Sequence, residues 1–231
     1  MSTVRTVTKR FTCLTGLGNP EPQYRNTRHN VGVLILDLLK EKIEQEIGRT
    51  VPYKQSSKSK YVHYCSIKNM LVNVPPIQVN KKNMATDTIS SILYLLRSDG
   101  NYMNLSGETL RPLWNELSKG IPHTTEKTPL LTHIVLHDEL SLPLGKVQLR
   151  IPGRSLRGHN GLKDILRMCP NVPHYKLAIG IGRPKSHDPR DVADYVLGKF
   201  SPSELDILHT KTLAQVMKLL GPMPVRTHEP L

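Results

Sequence analysis

Residues 11–16, Phe-Thr-Cys-Leu-Thr-Gly, and residues 31–43, Val-Gly-Val-Leu-Ile-Leu-Asp-Leu-Leu-Lys-Glu-Lys-Ile, decide the fold class of this chain. The first segment is a β-prone run that ends in a loop rich in glycine and proline. The second has apolar residues at helical spacing, and Gly48 lies beyond it as a stop signal. A strand, a loop and a helix in this order are the usual beginning of an α/β domain.

The rest of the sequence continues this alternation of short strands and helices. Strand-like runs lie at residues 61–67, 70–74, 92–96, 133–137, 147–151 and 176–182, and helical patterns at 104–118, 191–197 and 202–220, with a further helix ending at Met168. Two polar stretches, 49–61 and 77–90, are predicted to be insertions. No repeat or linker divides the chain, so we expect a single mixed α/β domain over residues 1–231.

Composition excludes several classes of protein. Hydrophobic residues make up 38% and charged residues 22% of the 231 positions, as in ordinary globular proteins. The sequence has no stretch near the ~20 consecutive apolar residues that span a bilayer. Its three cysteines, Cys13, Cys65 and Cys169, form no CxxC pair. Their spacing argues against a zinc knuckle or a disulfide framework and favours a reducing compartment.

The charge of the chain is strongly positive. Lys and Arg number 32 against 19 Asp and Glu, which gives a net charge of +13. Such an excess favours a partner with many phosphates, nucleic acid first and an anionic membrane second, while a merely soluble basic surface is the alternative. With two Phe and one Trp, the sequence gives little support to an RNA-binding platform of stacked aromatic rings.

Two loop motifs come close to known signatures without completing them. Residues 16–18, Gly-Leu-Gly, follow a strand as in a dinucleotide loop, but Glu21 stands where the third glycine belongs and would repel a pyrophosphate. Residues 153–158 read GxSxxG, one residue longer than the elbow around a catalytic serine. Ser155 is therefore expected to be an ordinary loop residue.

The histidines favour proton transfer over metal binding. His133 and His137 lie on one strand, but no suitable third ligand follows, so His133 is predicted to be a buried, hydrogen-bonded residue. An imidazole takes up a proton near neutral pH, and a carboxylate that accepts its other N–H stabilises the imidazolium as it forms. We expect His29 to pair in this way with Asp138, which follows a buried strand.

Amide side chains accompany these histidines in loops beside strand ends. The clusters are Asn19 with His29-Asn30, Met103-Asn104, His137-Asp138 and His159-Asn160. Ligands of open α/β sheets bind at the carboxyl ends of the strands, so these loops are candidates for one site. Taken singly, an asparagine before a helix is more often a cap, and a loop histidine is more often a surface residue.

Six motifs in order resemble those of the bacterial-type peptidyl-tRNA hydrolase family. They are Gly16-Leu-Gly-Asn-Pro20, Tyr24-x-x-Thr-Arg-His-Asn-x-Gly32, Tyr102-Met-Asn-Leu-Ser-Gly107, His137-Asp-Glu-Leu140, Gly158-His-Asn-Gly-Leu162 and Gly180-Ile-Gly-Arg-Pro184. The GNPEPQY stretch and the turn at 97–100 resemble eukaryotic, fungal members. The resemblance implies an α/β fold with a twisted mixed β-sheet flanked by helices. It also implies a monomer that cuts the ester between a peptide and the 3′ ribose of tRNA without a metal or other cofactor.

The resemblance further implies roles for individual residues. His29 would be the catalytic base that activates a water, and Asp138 would hold and polarise it. The residues that bind substrate or line the cleft would be Asn19, Tyr24, Met103, Asn104 and Asn160. A side-chain amide donates an N–H to a tetrahedral oxyanion without adding charge, and such a donor contributes roughly 3 kcal/mol.

The resemblance also points to cations for the tRNA. Many relatives hold the 5′ phosphate of tRNA with two positive side chains, and Arg150 aligns with the first of them. Ala178 stands where the second, an arginine, is expected. Lys176 or Arg183 would then compensate.

Two loops depart from the family pattern. Glu21 replaces a glycine that is common in the family. Residues 152–158 carry Pro152, Arg154 and Arg157 where many members are rich in glycine, so we expect this loop to differ in shape and in its RNA contacts.

Two other functions and two compartments stay open at this point. A catalytically silent RNA-binding relative would have lost His29 or Asp138, and both are present. A general carboxylesterase would use Ser155, outside the usual GxSxG context. Residues 1–20 have the composition of a transit peptide, but the first predicted strand begins near residue 11, so we expect a cytoplasmic or mitochondrial protein.

Overall fold

A seven-stranded sheet forms the centre of the computed structural model, which describes residues 8–72, 89–120, 131–153, 156, 158–221 and 223–224. Its strands are β1 (Thr8–Leu17), β2 (Lys54–Gln55), β3 (His63–Lys68), β5 (Ile89–Ser98), β6 (Leu131–Glu139), β7 (Val147–Arg150) and β8 (His174–Gly180). A separate pair consists of β4 (Met70–Leu71) and β9 (Met223–Pro224). The order in the large sheet is β2-β3-β5-β1-β6-β8-β7.

Helices cover both faces of this sheet. They are α1 (Val31–Ile47), α2 (Ser106–Lys119), α3 (Asn160–Met168), α4 (Pro189–Leu197), α5 (Pro202–Ile207) and α6 (Leu213–Leu220). The first ends at Gly48, whose φ of 67° suits a residue without a side chain. The alternating strands and helices confirm the predicted α/β class and the mixed sheet flanked by helices.

The centre of the sheet is parallel. β1 pairs in parallel with β5 and β6, and β6 pairs in parallel with β8, while β3 and β7 run antiparallel beside them. The carboxyl ends of the four parallel strands therefore lie at one edge. The loops that follow these strand ends carry the clusters of amide and histidine side chains found in the sequence. Open α/β sheets bind their ligands at this edge.

Two apolar clusters hold the layers together. β1 contributes side chains to both clusters, because successive side chains of a strand point to opposite faces of the sheet. Leu14 packs with α1 and α6, and Cys13 packs with α2 and α3. Trp114 on α2 is fully buried in the second cluster. Burial of one such large apolar side chain contributes about 1.5–3 kcal/mol, so the helices on both faces are firmly attached.

A close approach at Gly32 brings the start of α1 onto the sheet. A Cβ at this position would lie 2.3 Å from the carbonyl oxygen of Leu136 and 2.9 Å from that of Leu17. These backbone atoms could not yield without moving β6 or β1, so only glycine fits. The contact places the turn that precedes α1 against the ends of both strands.

The structure corrects several boundaries. Of the strand predicted at 70–74, residues 70 and 71 form β4, and residues 73 and 74 lie outside the described residues. The predicted loop at 49–61 contains β2. Residues 77–88 of the insertion predicted at 77–90 lie outside the described residues, and residues 89 and 90 begin β5. The helix predicted at 202–220 is interrupted by a π-helical turn, Leu208–Thr212. Among the described residues, no helix is long and apolar enough to span a membrane.

The prediction that His133 is buried is confirmed, but the prediction that it is hydrogen-bonded is wrong. The side chain is buried, at 3% exposure, but within the described residues neither ring nitrogen has a hydrogen-bond partner. Its ring packs against Trp114 with a centroid distance of 4.3 Å, and His174 lies on the neighbouring strand. Burial, followed by the repulsion of His174, lowers the pKa of His133 from 6.5 to about 3. The folded protein therefore keeps this imidazole neutral.

This burial predicts a loss of stability in mild acid. The unfolded chain takes up a proton at His133 near pH 6.5 and the folded chain only near pH 3, so stability falls as pH decreases through this window. At pH 5 the cost is roughly 2 kcal/mol. His133→Phe should remove this part of the acid sensitivity. Urea unfolding of both proteins at pH 7 and pH 5 tests this prediction, with the fluorescence of Trp114, the one tryptophan of the chain, as the signal. The same loss of stability between pH 7 and pH 5 in both proteins would contradict it.

Candidate active site

The predicted site residues come together from the carboxyl edge of the sheet. Asn19 follows β1, Met103 follows β5, and Asp138 is the next-to-last residue of β6. His29 lies in a short 3-10 turn, Arg28–Asn30, just before α1. His159 caps the start of α3. Each of these positions is an element end, where the backbone is free to turn towards a common point.

Asp138 binds two histidines through one oxygen. Its Oδ1 lies 2.7 Å from His29 Nδ1 and 3.0 Å from His159 Nε2. The N–H of Leu162 donates to His159 Nδ1 at 3.3 Å, so the proton of neutral His159 is on Nε2 and points to Asp138. His29 donates through Nδ1 in the same way. Its Nε2 is left as the basic nitrogen.

The charge of Asp138 sets the protonation of this group. Burial alone would lower the pKa of His29, but the attraction and the hydrogen bond of Asp138 outweigh it and raise that pKa above 6.5. The two histidines in turn hold the pKa of Asp138 far below its usual range, although its side chain is only 5% exposed. Neighbouring His137 has its pKa lowered to about 3, chiefly by burial. The site thus contains a permanent carboxylate and one histidine poised to gain a proton.

Two asparagines fix the loop between β1 and α1. The backbone N–H of Asn19 donates to Asn30 Oδ1 at 2.8 Å, and Asn30 Nδ2 donates to the carbonyl of Asn19 at 3.0 Å. The N–H of Met103 donates to Asn19 Oδ1 at 2.8 Å. This last bond orients the Asn19 amide so that Nδ2 is its remaining donor, and the bond also ties the loops after β1 and β5 together.

Arg28 anchors the turn that carries His29. Its guanidinium donates to both carboxylate oxygens of Glu204 at 3.0 Å and stacks on Tyr195 with 4.4 Å from Cζ to the ring centroid. It also donates to the carbonyl of Lys199 at 3.0 Å. A bidentate, stacked arginine is held in one geometry, so the backbone next to His29 is held as well.

The remaining predicted substrate residues differ in exposure. Met103 is buried, whereas Asn104 and Asn160 are exposed. Tyr24 is half-buried and meets the exposed ring of Tyr102 edge-on, with centroids 6.3 Å apart. The candidate site therefore combines a buried methionine with exposed amides and aromatic rings.

The predicted tRNA cations occupy unlike positions. Arg150 is buried, pairs with Glu139 and donates to Gln148 at 3.0 Å. Lys176 is opposite Arg150 in the register of β7 and β8 and is also buried; burial and then Arg150 lower its pKa. Arg183 lies on an exposed loop after β8. The strand expected at 147–151 is present as Val147–Arg150. Arg150 lies on the same side as exposed Gln148 but is itself buried.

The group around Asp138 has the composition of a metal site. The ligand atoms of His29, Asp138 and His159 all lie within 4.8 Å of one another. In the geometry described here, both ring nitrogens that face the carboxylate are engaged in hydrogen bonds to it. This arrangement also leaves His29 Nε2 available for proton transfer.

Three residues gain a structural role that the sequence did not reveal. His159 is the second donor to Asp138, Asn30 is the partner of Asn19, and Arg28 anchors the catalytic turn. All three belong to motifs quoted from the sequence. Their partners are 11 to 176 positions away in the chain, and residue type alone does not identify them.

A buried carboxylate paired with an imidazole at the edge of an α/β sheet is an arrangement that hydrolases use for general-base catalysis. Comparison with known proteins narrows this class. The family model described as peptidyl-tRNA hydrolase matches residues 13–224, and the chain belongs to this family.

Individual relatives agree with this assignment. The peptidyl-tRNA hydrolase of Saccharomyces cerevisiae is 41% identical over 203 residues, covering 86% of this chain and 89% of its own. That of Bacillus subtilis is 34% identical over 193 residues, covering 83% and 80%. A crystal structure of the Acinetobacter baumannii peptidyl-tRNA hydrolase shares the fold, with a TM-score of 0.57 and 23% identity over 93% of each chain. The expectation of this family is confirmed.

The site geometry predicts how His29 titrates. In the native protein its pKa lies above 6.5 because of Asp138, whereas Asp138→Asn leaves only the burial that lowers it. We expect the pKa of His29 to fall in the variant, because the attraction and the hydrogen bond of the carboxylate are lost while the burial remains. Titration of the imidazole Cε1–H signals by NMR measures it. His133 and His137, which stay neutral down to about pH 3, are internal controls, and an unchanged His29 would contradict the assignment.

Proposed function

We propose that this chain hydrolyses the ester bond between a peptide, or an N-blocked amino acid, and the 3′ ribose of tRNA, and that His29 is the base. The observation that carries the proposal is the pairing of His29 Nδ1 with buried Asp138, which leaves Nε2 as the basic nitrogen. Family membership and the names of its relatives supply the substrate class. The net charge of +13 suits a polyanionic substrate.

The reaction proceeds through a water activated at Nε2. His29 removes a proton from the water as its oxygen attacks the ester carbonyl carbon, and Asp138 stabilises the resulting imidazolium. The tetrahedral intermediate then collapses and expels the 3′ oxygen of the ribose. The imidazolium returns its proton to that oxygen, which leaves a free peptide and a tRNA with an intact 3′ end. No covalent enzyme intermediate and no metal-bound step is needed.

The asparagine amides recognise the peptide and the oxyanion. Asn19 accepts from the N–H of Met103, which leaves its Nδ2 as a donor for the substrate. The exposed amides of Asn104 and Asn160 hold the peptide backbone or the developing oxyanion. A fixed N–H donor to a developing oxyanion contributes about 3 kcal/mol. Because these groups are neutral and contact the backbone of the peptide, they suit substrates of many sequences. Tyr24 and Met103 complete the lining.

The tRNA is held by positive charge on the same edge. We assign Arg150 to the 5′ phosphate, with Lys176 or Arg183 in place of the arginine that Ala178 replaces. The pair Arg150 and Lys176 is supported by their opposed register on β7 and β8. Arg183 is supported by its exposure.

The protein acts as a monomer in the cytosol or the mitochondrion in this proposal. Three unpaired, buried cysteines suit either reducing compartment. The alternative of a silent RNA-binding relative is disfavoured by the intact pair of His29 and Asp138. The alternative of a serine esterase rests on Ser155, which lies outside the described residues.

Loss of the base tests the proposed reaction. Without added metal, the native protein should release N-blocked amino acid from blocked aminoacyl-tRNA, and His29→Ala should be slower by about 10²- to 10⁴-fold. Binding of uncharged tRNA should persist in the variant. His209→Ala, a change at an exposed helical histidine, is the matched control and should keep full activity. Tight tRNA binding without cleavage by the native protein would favour the silent relative.

Removal of Arg150 tests the phosphate contact. The native protein should prefer tRNA with a 5′ phosphate over the same tRNA after phosphatase treatment, and Arg150→Ala should reduce this preference. Lys176→Ala and Arg183→Ala, measured in the same way, decide which cation replaces the missing arginine. Because Arg150 also pairs with Glu139, thermal unfolding of each variant is the control for stability. An unchanged preference in Arg150→Ala would overturn its assignment.

A further inference from the structure

A cluster of charged side chains lies beside the cleft and outside the hydrogen bonds around His29. At its centre is Arg97, near the end of β5, whose side chain is 19% exposed. The guanidinium contacts three carboxylates: Asp37 at 2.8 Å, Asp99 at 2.5 Å and Glu21 at 3.2 Å. One cation shared among three anions holds each of them in a defined place.

The three carboxylates belong to different parts of the fold. Asp99 is two residues from Arg97 in the same segment, and Asp37 lies on α1. Glu21 lies in the loop after β1, two residues beyond Asn19. Of these three contacts, the one with Glu21 therefore joins the substrate loop to another part of the protein.

The cleft has two walls, which we define as residues 18–27 and residues 97–105. The first wall carries Asn19, and the second carries Met103. The contacts that cross between the walls include Met103 N to Asn19 Oδ1 at 2.8 Å, the rings of Tyr24 and Tyr102 at 6.3 Å, and Glu21 to Arg97 at 3.2 Å.

We propose that the ion pair of Glu21 and Arg97 is a positioning contact that sets the separation of the two walls and thereby the grip on the peptide part of the substrate. The inference rests on the proposed function and deepens it. Both side chains are mostly buried, at 25% and 19% exposure, so the pair is shielded more than a surface salt bridge. Neither group touches the reacting atoms; both act through the placement of Asn19 and Tyr24.

The direction of the effect separates positioning from simple electrostatics. Removal of a negative charge near the binding site of a polyanion strengthens binding if only long-range attraction matters. Loss of a positioning contact weakens it, because the walls no longer hold the peptide amides in register. A neutral side chain at position 21 therefore gives opposite results under the two explanations.

Steady-state kinetics with Glu21→Gln and Asp37→Asn test the proposal on blocked aminoacyl-tRNA and on a blocked dipeptidyl-tRNA. Each variant removes one carboxylate from Arg97, but Asp37 lies on α1, outside both walls. We expect Glu21→Gln to raise KM about three- to tenfold with kcat within about twofold, because binding is lost and the chemistry is not. Asp37→Asn should leave both constants near native. Arg25→Gln controls for the other partner of Glu21, an exposed arginine at 3.8 Å.

Hydrogen exchange supplies a readout that does not depend on activity. Amides of residues 18–27 should exchange faster in Glu21→Gln than in Asp37→Asn, while the core strands stay protected in both. A lower KM, a fall in kcat alone, or equal behaviour of the two variants would overturn the positioning role. An inactive native protein that still binds tRNA would instead overturn the proposed function, and the exchange result would still decide whether Glu21 fixes the wall.

Discussion

The carboxylate of Asp138 is the charge on which the arrangement of the site depends. A buried anion is costly unless it is paired and hydrogen-bonded, and here one oxygen accepts from both His29 and His159. Loss of either donor would leave that charge partly unsatisfied. The end of β6, the turn before α1 and the start of α3 are consequently held at one point. Along the chain, Asp138 is 109 positions from His29 and 21 positions from His159.

The backbone meets this requirement by close packing. Gly32 allows α1 to begin against Leu136 and Leu17, which brings His29, three residues earlier, to the end of β6. The paired amides of Asn19 and Asn30 then close the loop on itself. His29 and Asn19 are held by contacts within the protein, so in the proposed reaction these groups need not reorganise when charge develops.

Local patterns in the sequence were sufficient for the fold class and for the location of the site. The periodicity of residues 31–43 predicted α1. Because the carboxyl ends of parallel strands lie at one edge of a sheet, the sequence also predicted that His29 and Asp138 are close together. Pairwise geometry was not accessible in the same way. The side on which Arg150 lies depends on how β7 pairs with β8, and β2, a two-residue strand, has no pattern of its own. His133 was expected to be hydrogen-bonded, but its environment is formed by Trp114 from a distant helix.

In the proposed function, recognition of the peptide and recognition of the RNA have different physical bases. The peptide is recognised by neutral amides, so selectivity depends on their positions and responds to displacement of a wall. The RNA is recognised by charge, which acts over about 8–10 Å at physiological salt and tolerates displacement of a single side chain. Arg150 pairs with Glu139, yet a net charge of +13 still attracts a polyanion. Ala178, at a position where the family resemblance implies an arginine, is thus tolerated more easily than a comparable change beside Asn19 would be.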